Sequence, residues 1–115
     1  MVLDRQGGPN WFENWCIAPV IVDPEQDKVY FTPLYDVMCH FSKFIRPGAT
    51  VLGSECPAGD VMAVATANED GSYTVVCFNQ GDTPRSVHID GLPSDVRIEL
   101  DAQALQTIVL TPYDL

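Results

Sequence analysis

The run Val61-Met62-Ala63-Val64-Ala65-Thr66-Ala67, the tetrapeptide Glu69-Asp70-Gly71-Ser72 and the run Tyr73-Thr74-Val75-Val76-Cys77-Phe78-Asn79 follow one another in the second half of the chain. Both runs are rich in β-branched and small apolar residues, which fit a pleated, half-buried surface. The tetrapeptide contains a glycine, the residue that takes the positive φ of a tight turn without steric cost. Together the three pieces predict a β-hairpin with antiparallel strands.

Outward from this hairpin, runs of the same kind occur at 50–53, 85–90, 96–100 and 105–111, each bounded by turn formers. Short strands at regular spacing predict a mainly β fold, an antiparallel β-sandwich or part of one. No longer period repeats, and no segment is of low complexity.

Towards the N-terminus the hydrophobic period changes. Leu34, Val37, Met38, Phe41, Phe44 and Ile45 recur at three- and four-residue spacing, which puts them on one face of a helix. Thr32 is placed to cap it, Pro33 suits a first helical position whose N–H would be unpaired anyway, and Asp36 favours the positive end of the dipole. Lys43 and Arg46 suit the opposite end, and Pro47-Gly48 stops the helix. The expected span is 33–46. Before it, an apolar stub at 1–3 leads into Asp4-Arg5-Gln6-Gly7-Gly8-Pro9-Asn10, then Trp11, Phe12 and Trp15, then an apolar run at 17–22 ended by Asp23-Pro24-Glu25-Gln26-Asp27. Residues 4–31 read as a long loop with extended pieces.

The 115 residues suffice for one small core, and the composition, 46% hydrophobic and 19% charged, is ordinary for a globular chain. No stretch is apolar for long enough to predict a membrane span. Asp and Glu number 16 against 6 Lys and Arg, a net charge of −10. Without a basic stripe to release counterions, nucleic-acid binding is not expected. The acidic residues are scattered through turns, as on a solvated surface. Cys16, Cys39, Cys56 and Cys77 form no CxxC pair, so metal binding is not expected. Cys39 and Cys77 sit among apolar neighbours and read as small buried hydrophobes, while a Cys16–Cys56 bridge stays open. The opening residues have neither the basic start nor the apolar run of a signal peptide. Location is therefore open between the cytosol and a chain whose true beginning lies upstream.

Read in order, Leu3, Gly7-Gly8-Pro9-Asn10-Trp11, Asn14, Ala18-Pro19-Val20-Ile21-Val22-Asp23, Tyr30, Pro33, Tyr35 and His40-Phe41-Ser42-Lys43-Phe44-Ile45 resemble the C-terminal region of family 30 glycoside hydrolases, the glucosylceramidase group. The resemblance implies a (β/α)₈ barrel that carries the chemistry and a β-sandwich built from an early and a late segment. Residues 1–46 would be a barrel remnant: the end of strand eight, the rim loop 4–31 and helix eight. Residues 47–115 would be sandwich. The family mechanism it implies is retaining hydrolysis by two Glu about 5 Å apart, with no cofactor. Both Glu would lie upstream, so the chain alone is expected to be inactive. Its partners would be a β-linked glycoside in the parent enzyme and the missing barrel portion. A secreted or lysosomal parent is one implied location.

Against that background Trp11, Trp15 and Asn14 are the candidate substrate-binding residues. Sugar faces stack on flat apolar rings, and a neutral amide pairs with hydroxyls. Packing within the loop is the alternative role. After Asn14 the glucosylceramidases carry a phenylalanine, a small apolar residue and an acid, where this chain has Trp15, Cys16 and Ile17. That departure leaves the sugar open between β-glucosides, β-1,6-glucans and β-xylosides. Glu13 stands alone as a substitute catalytic carboxylate and reads as a solvated loop residue. His40 and His88 have no partner carboxylate at informative spacing and read as structural. Two other functions remain: an independent carbohydrate-binding or interaction module using Trp11 and Trp15, and a split enzyme whose second polypeptide brings the carboxylates. A helix without its barrel would leave an apolar face exposed, so marginal stability or self-association is expected.

Overall fold

A computed structural model describes residues 1–10, 12, 13 and 15–113. The chain is mainly β with one helix, and it divides into two compact units, Met1–Cys39 and His40–Leu115.

In the first unit, β1 (Val2–Asp4) lies parallel to β2 (Val20–Asp23), which turns back into β3 (Lys28–Phe31) in antiparallel register. The stretch expected as a loop with extended pieces thus contains a short hairpin. Its turn is the one marked by Asp23-Pro24-Glu25-Gln26-Asp27, with Asp27 at φ 52, a left-handed value that Asp tolerates better than most residues. Asp23 is 2% exposed and its carboxylate accepts from the amides of Glu25 and Gln26, an Asx turn that starts the reversal.

The helix α1 spans Pro33–Ser42. Periodicity predicts a span to Arg46, and the helix ends earlier. Pro47 disfavours helical geometry at Arg46. The Phe44 carbonyl is taken by side chains, Thr74 Oγ1 at 3.0 Å and Asn68 Nδ2 at 3.4 Å. One helical bond persists beyond the regular span, from Ile45 N to the Phe41 carbonyl at 2.9 Å.

The second unit holds a four-stranded antiparallel sheet in the order β4 (Thr50–Leu52), β5 (Val61–Ala67), β6 (Tyr73–Asn79) and β9 (Leu105–Leu110). The predicted hairpin is β5–β6, in register from Val61 opposite Asn79 to Ala67 opposite Tyr73. Its turn carries Gly71 at φ 85, whose amide donates to the Asn68 carbonyl. A second hairpin, β7 (Arg85–Ile89) with β8 (Val96–Leu100), packs over one face of the sheet. Residues 61, 63, 65, 75 and 77 point to that face because strand side chains alternate. The core there is Val61, Val75, Cys77 and Leu100, flanked by Val87, Ile89 and Ile98. On the other face, Thr74 donates to the Phe44 carbonyl just beyond α1, and Thr107 meets His40 Nδ1 in the last turn of α1 at 2.9 Å.

Asn79 closes the lower end of this unit. Fully buried, it donates through Nδ2 to the carbonyls of Thr83 and Asp101 at 2.8 and 3.0 Å, and its Oδ1 accepts from Gly81 N at 3.0 Å. One side chain therefore satisfies backbone groups on both sides of the β7–β8 hairpin. Buried polar groups without such partners would each cost about 1–3 kcal/mol.

Candidate functional site

The candidate loop begins where β1 ends. Asp4 organises it: its Oδ1 accepts from Gln6 N at 2.9 Å and Gly8 N at 2.8 Å, and its own amide donates to the Gly8 carbonyl. Gly7 has φ 82, and a Cβ built there would stand 2.7 Å from the Cys16 carbonyl oxygen. Only glycine fits that close approach of two backbone segments. Arg5 pairs with Asp23 at 3.2 Å, tying the loop to the start of the next turn. Neither this pair nor the Asp4 turn was expected from the sequence, although Asp at the head of a turn was a legible signal for the second.

At the far end of the loop Ala18 is buried, and Thr32 Oγ1 donates to the carbonyls of Ala18 and Pro19 at 3.0 and 3.2 Å. Thr32, expected as a helix cap, uses its hydroxyl to hold the loop's exit to the helix start. Its backbone carbonyl still accepts from Tyr35 N at 2.8 Å. Phe31 and Tyr35 pack with ring centroids 4.6 Å apart. A hydrogen bond with Cys39 pushes the Tyr35 phenol above its ordinary value.

Between these anchors the loop presents apolar side chains. Trp15 is 61% exposed, and Phe12 and Ile17 are more exposed still. Trp11 and Asn14, the other two candidates, lie outside the described residues. Glu13 sits on the exposed side of the loop at φ 53. Chemically, the described part offers flat apolar surface.

The histidines are engaged elsewhere. His40 bonds Thr107 in the second unit. His88 was expected to have no informative carboxylate, yet its Nε2 meets Asp95 Oδ1, because the β7–β8 turn returns Asp95 to it. Bonding to His88 draws the Asp95 carboxyl below the usual carboxylate range. Arg85 likewise holds Asp60 low. Among the described residues no three His, Cys, Asp or Glu side chains form a metal-binding group. None of the four cysteines is in a disulfide. Cys77 is buried as expected, and burial raises its thiol pKa; Cys39 is only part-buried, because no residue of α1 is buried.

A cleft of about 810 Å³ opens beside the β7–β8 hairpin in the second unit, with Val61, Ala63, Val75 and Cys77 on its floor and Val87 and Ile89 in its wall. No Trp, Tyr or Phe of the described residues lines it. It lacks the stacking platform expected of a sugar site.

Residues 1–45 match the glycosyl hydrolase family 30 TIM-barrel domain, and residues 48–108 match the family 30 beta sandwich domain. A lysosomal acid glucosylceramidase from Mus musculus is 37% identical over 92 residues, covering 76% of this chain and 18% of the relative. An endo-1,6-beta-D-glucanase from Trichoderma harzianum is 32% identical over 90 residues, covering 73% of this chain and 18% of that enzyme. The crystal structure of SrfJ from Salmonella typhimurium superposes with a TM-score of 0.88 at 27% identity, covering 96% of this chain and 25% of that one. The chain spans less than a fifth of the length of the curated relatives it matches. With its sandwich domain matched across more than half of its length, this chain belongs to glycosyl hydrolase family 30.

Proposed function

We propose that this chain is the C-terminal part of a retaining β-glycosidase resembling glucosylceramidase, supplying a rim loop, the last barrel helix and a β-sandwich, and that alone it hydrolyses nothing. The observation that carries this reading is the order of the two family matches, barrel at 1–45 and sandwich at 48–108. Retaining hydrolysis needs a nucleophile and an acid/base about 5 Å apart. The resemblance assigns both to strands upstream of these residues. Residues 1–46 then belong with the barrel and 47–115 with the sandwich.

Helix α1 supports a missing partner. Leu34, Val37, Met38 and Phe41 recur along it and are exposed, an apolar face of the kind that a barrel's outer helix lays on its strands. In the isolated chain that face favours self-association. Trp11, Trp15 and Asn14 would border the substrate, a β-linked glucoside such as glucosylceramide, with Trp15 already exposed for stacking. The fungal relative is by name a 1,6-β-glucanase, so a β-glucan is the competing substrate class.

Release of nitrophenol from aryl β-glucoside and β-xyloside tests the proposal, with this chain alone and with the upstream barrel portion of a family member added. Silence alone and activity on mixing is the expected result. Activity in the isolated chain would overturn it and return attention to Glu13.

An independent carbohydrate-binding module is the second reading, favoured by the exposure of Phe12 and Trp15 on one loop. Calorimetric titration with β-linked gluco-oligosaccharides separates the two: a module binds them without a barrel, and a rim loop does not.

A further inference from the structure

We infer that Asp90-Gly91 is a site of spontaneous backbone isomerisation to isoaspartate, while the second Asp-Gly pair of the chain, Asp70-Gly71, is protected by its turn. The inference concerns covalent ageing of the sandwich and is independent of the glycosidase reading.

The reaction is intramolecular. The Gly91 amide nitrogen attacks Asp90 Cγ, a C–N bond forms as the nitrogen loses its proton, and the carboxyl C–O bond breaks with loss of water to leave a five-membered succinimide. Water then adds back. Opening at the side-chain carbonyl restores aspartate, and opening at the main-chain carbonyl leaves the peptide running through the former side chain. The following residue must be small and its amide free, and the carboxyl must be able to approach it. Solvent supplies and accepts everything the step requires.

The two Asp-Gly pairs differ in all these respects. At Asp70 the carboxylate accepts from Ser72 N at 2.9 Å and from Ser72 Oγ at 2.7 Å, and the Gly71 amide donates to the Asn68 carbonyl at 3.1 Å. Nucleophile and electrophile are both occupied. The bonds from Ser72 also keep the Asp70 carboxyl ionised to lower pH than usual, and the ionised form is the unreactive one. At Asp90 the residue is exposed, Gly91 has φ 78, and nothing lies within 4 Å of where a Gly91 side chain would begin. Among the described residues, neither the Asp90 carboxylate nor the Gly91 amide has a hydrogen-bond partner. Residues 91–94 form a bend rather than a hydrogen-bonded turn.

The position gives the modification a structural effect. Asp90 follows Ile89, whose partner Val96 is the last pair of the β7–β8 ladder, and Leu92 just beyond it packs against the core. An added main-chain methylene at Asp90 moves Leu92 relative to that ladder and leaves a new carboxylate at the mouth of the cleft.

The test ages the purified 115-residue chain at neutral pH and body temperature, folded and in concentrated urea. Trypsin then cuts after Arg85 and Arg97 to release the peptide 86–97. Isoaspartate is read in that peptide and in the fragment carrying Asp70, by electron-transfer fragmentation and by labelled methyl transfer from S-adenosylmethionine. In the folded chain the Asp90 peptide should exceed the Asp70 fragment about tenfold, the rate cost of breaking about one hydrogen bond before reaction. In urea the difference should vanish, and Asp90→Glu should remove the signal while keeping the charge. Equal accumulation in the folded chain overturns the inference, as does no isoaspartate at Asp90 while the urea sample forms it. Circular dichroism of the folded sample accompanies each time point, and loss of its β-sheet signal would contradict the geometry on which the protection rests.

Discussion

The hydroxyl of Thr74 donates to the backbone carbonyl of Phe44 at 3.0 Å, joining the central strand to the turn that leaves the helix. Asn68 Nδ2 reaches the same carbonyl and also donates to Thr74 Oγ1 at 3.1 Å, so three groups share one buried junction. Replacing Thr74 with Val keeps the shape and deletes both bonds. The expected loss is about 1–3 kcal/mol, read as a lower urea midpoint with unchanged slope.

Asn79 is the more demanding position. Asn79→Leu keeps most of the volume, but it strands the carbonyls of Thr83 and Asp101 and the amide of Gly81. A loss of about 3–5 kcal/mol is expected, within the range of broken buried networks and larger than that of Thr74→Val. Urea denaturation of both variants side by side gives the order.

For the loop, Gly7→Ala is the informative change. The residue sits at φ 82 and a methyl there meets the Cys16 backbone, so the loop must shift or open, at about 1–3 kcal/mol of local strain. The chain's two tryptophans, Trp11 and Trp15, are both in this loop. A change in their emission with the β-sheet circular dichroism intact would locate the effect; unchanged emission would count against so close an approach of the two backbones.

Acid should weaken the β5–β6 turn. The Asp70 carboxyl is held low by Ser72, so its folded pKa lies below its unfolded one. A depressed carboxylate contributes stability that is present above the unfolded pKa, about 3.9, and is lost as pH falls through the folded value. Asp70→Asn should therefore be less stable than the parent chain at neutral pH and converge with it well below about pH 4, which flattens the stability profile. Because the group is on the surface, the effect is a change of slope, measured by urea midpoints across pH.

Exposed Leu34 and Met38 give a further outcome. Leu34→Glu with Met38→Lys should shift the isolated chain towards monomer in sedimentation velocity without lowering its urea midpoint, since neither side chain is buried. A drop in stability would mean that the face is already packed.

What could be read from the sequence was mostly local. Strands at 61–67, 73–79 and 96–100 were legible because β-branched runs ended in turn formers whose φ requirements only certain residues meet. The apolar period continues through Phe44 and Ile45, beyond the helix end at Ser42, and the partners of the Phe44 carbonyl, Asn68 and Thr74, lie too far along the chain for spacing to announce them. The parallel pairing of Val2–Asp4 with Val20–Asp23 was invisible for a related reason: nothing in either stretch names a partner across an intervening loop. His88 and Asp95 show the same limit, since a spacing of seven means nothing until a hairpin folds it. Of the candidate site, Trp15 could be followed into the structure as an exposed ring, while Trp11 and Asn14 fall outside the described residues.

The central strand Tyr73–Asn79 has a hydrogen-bonded neighbour along each edge and buried side chains on both faces. Its amides can meet heavy water only when the whole unit comes apart, whereas the separate β7–β8 ladder can open alone. Deuterium uptake by one short peptide would then measure the global unfolding free energy, and uptake by Arg85–Ile89 would measure how much more cheaply the hairpin lifts away. The molecule thus contains its own reference strand, against which the effect of adding any partner can be timed.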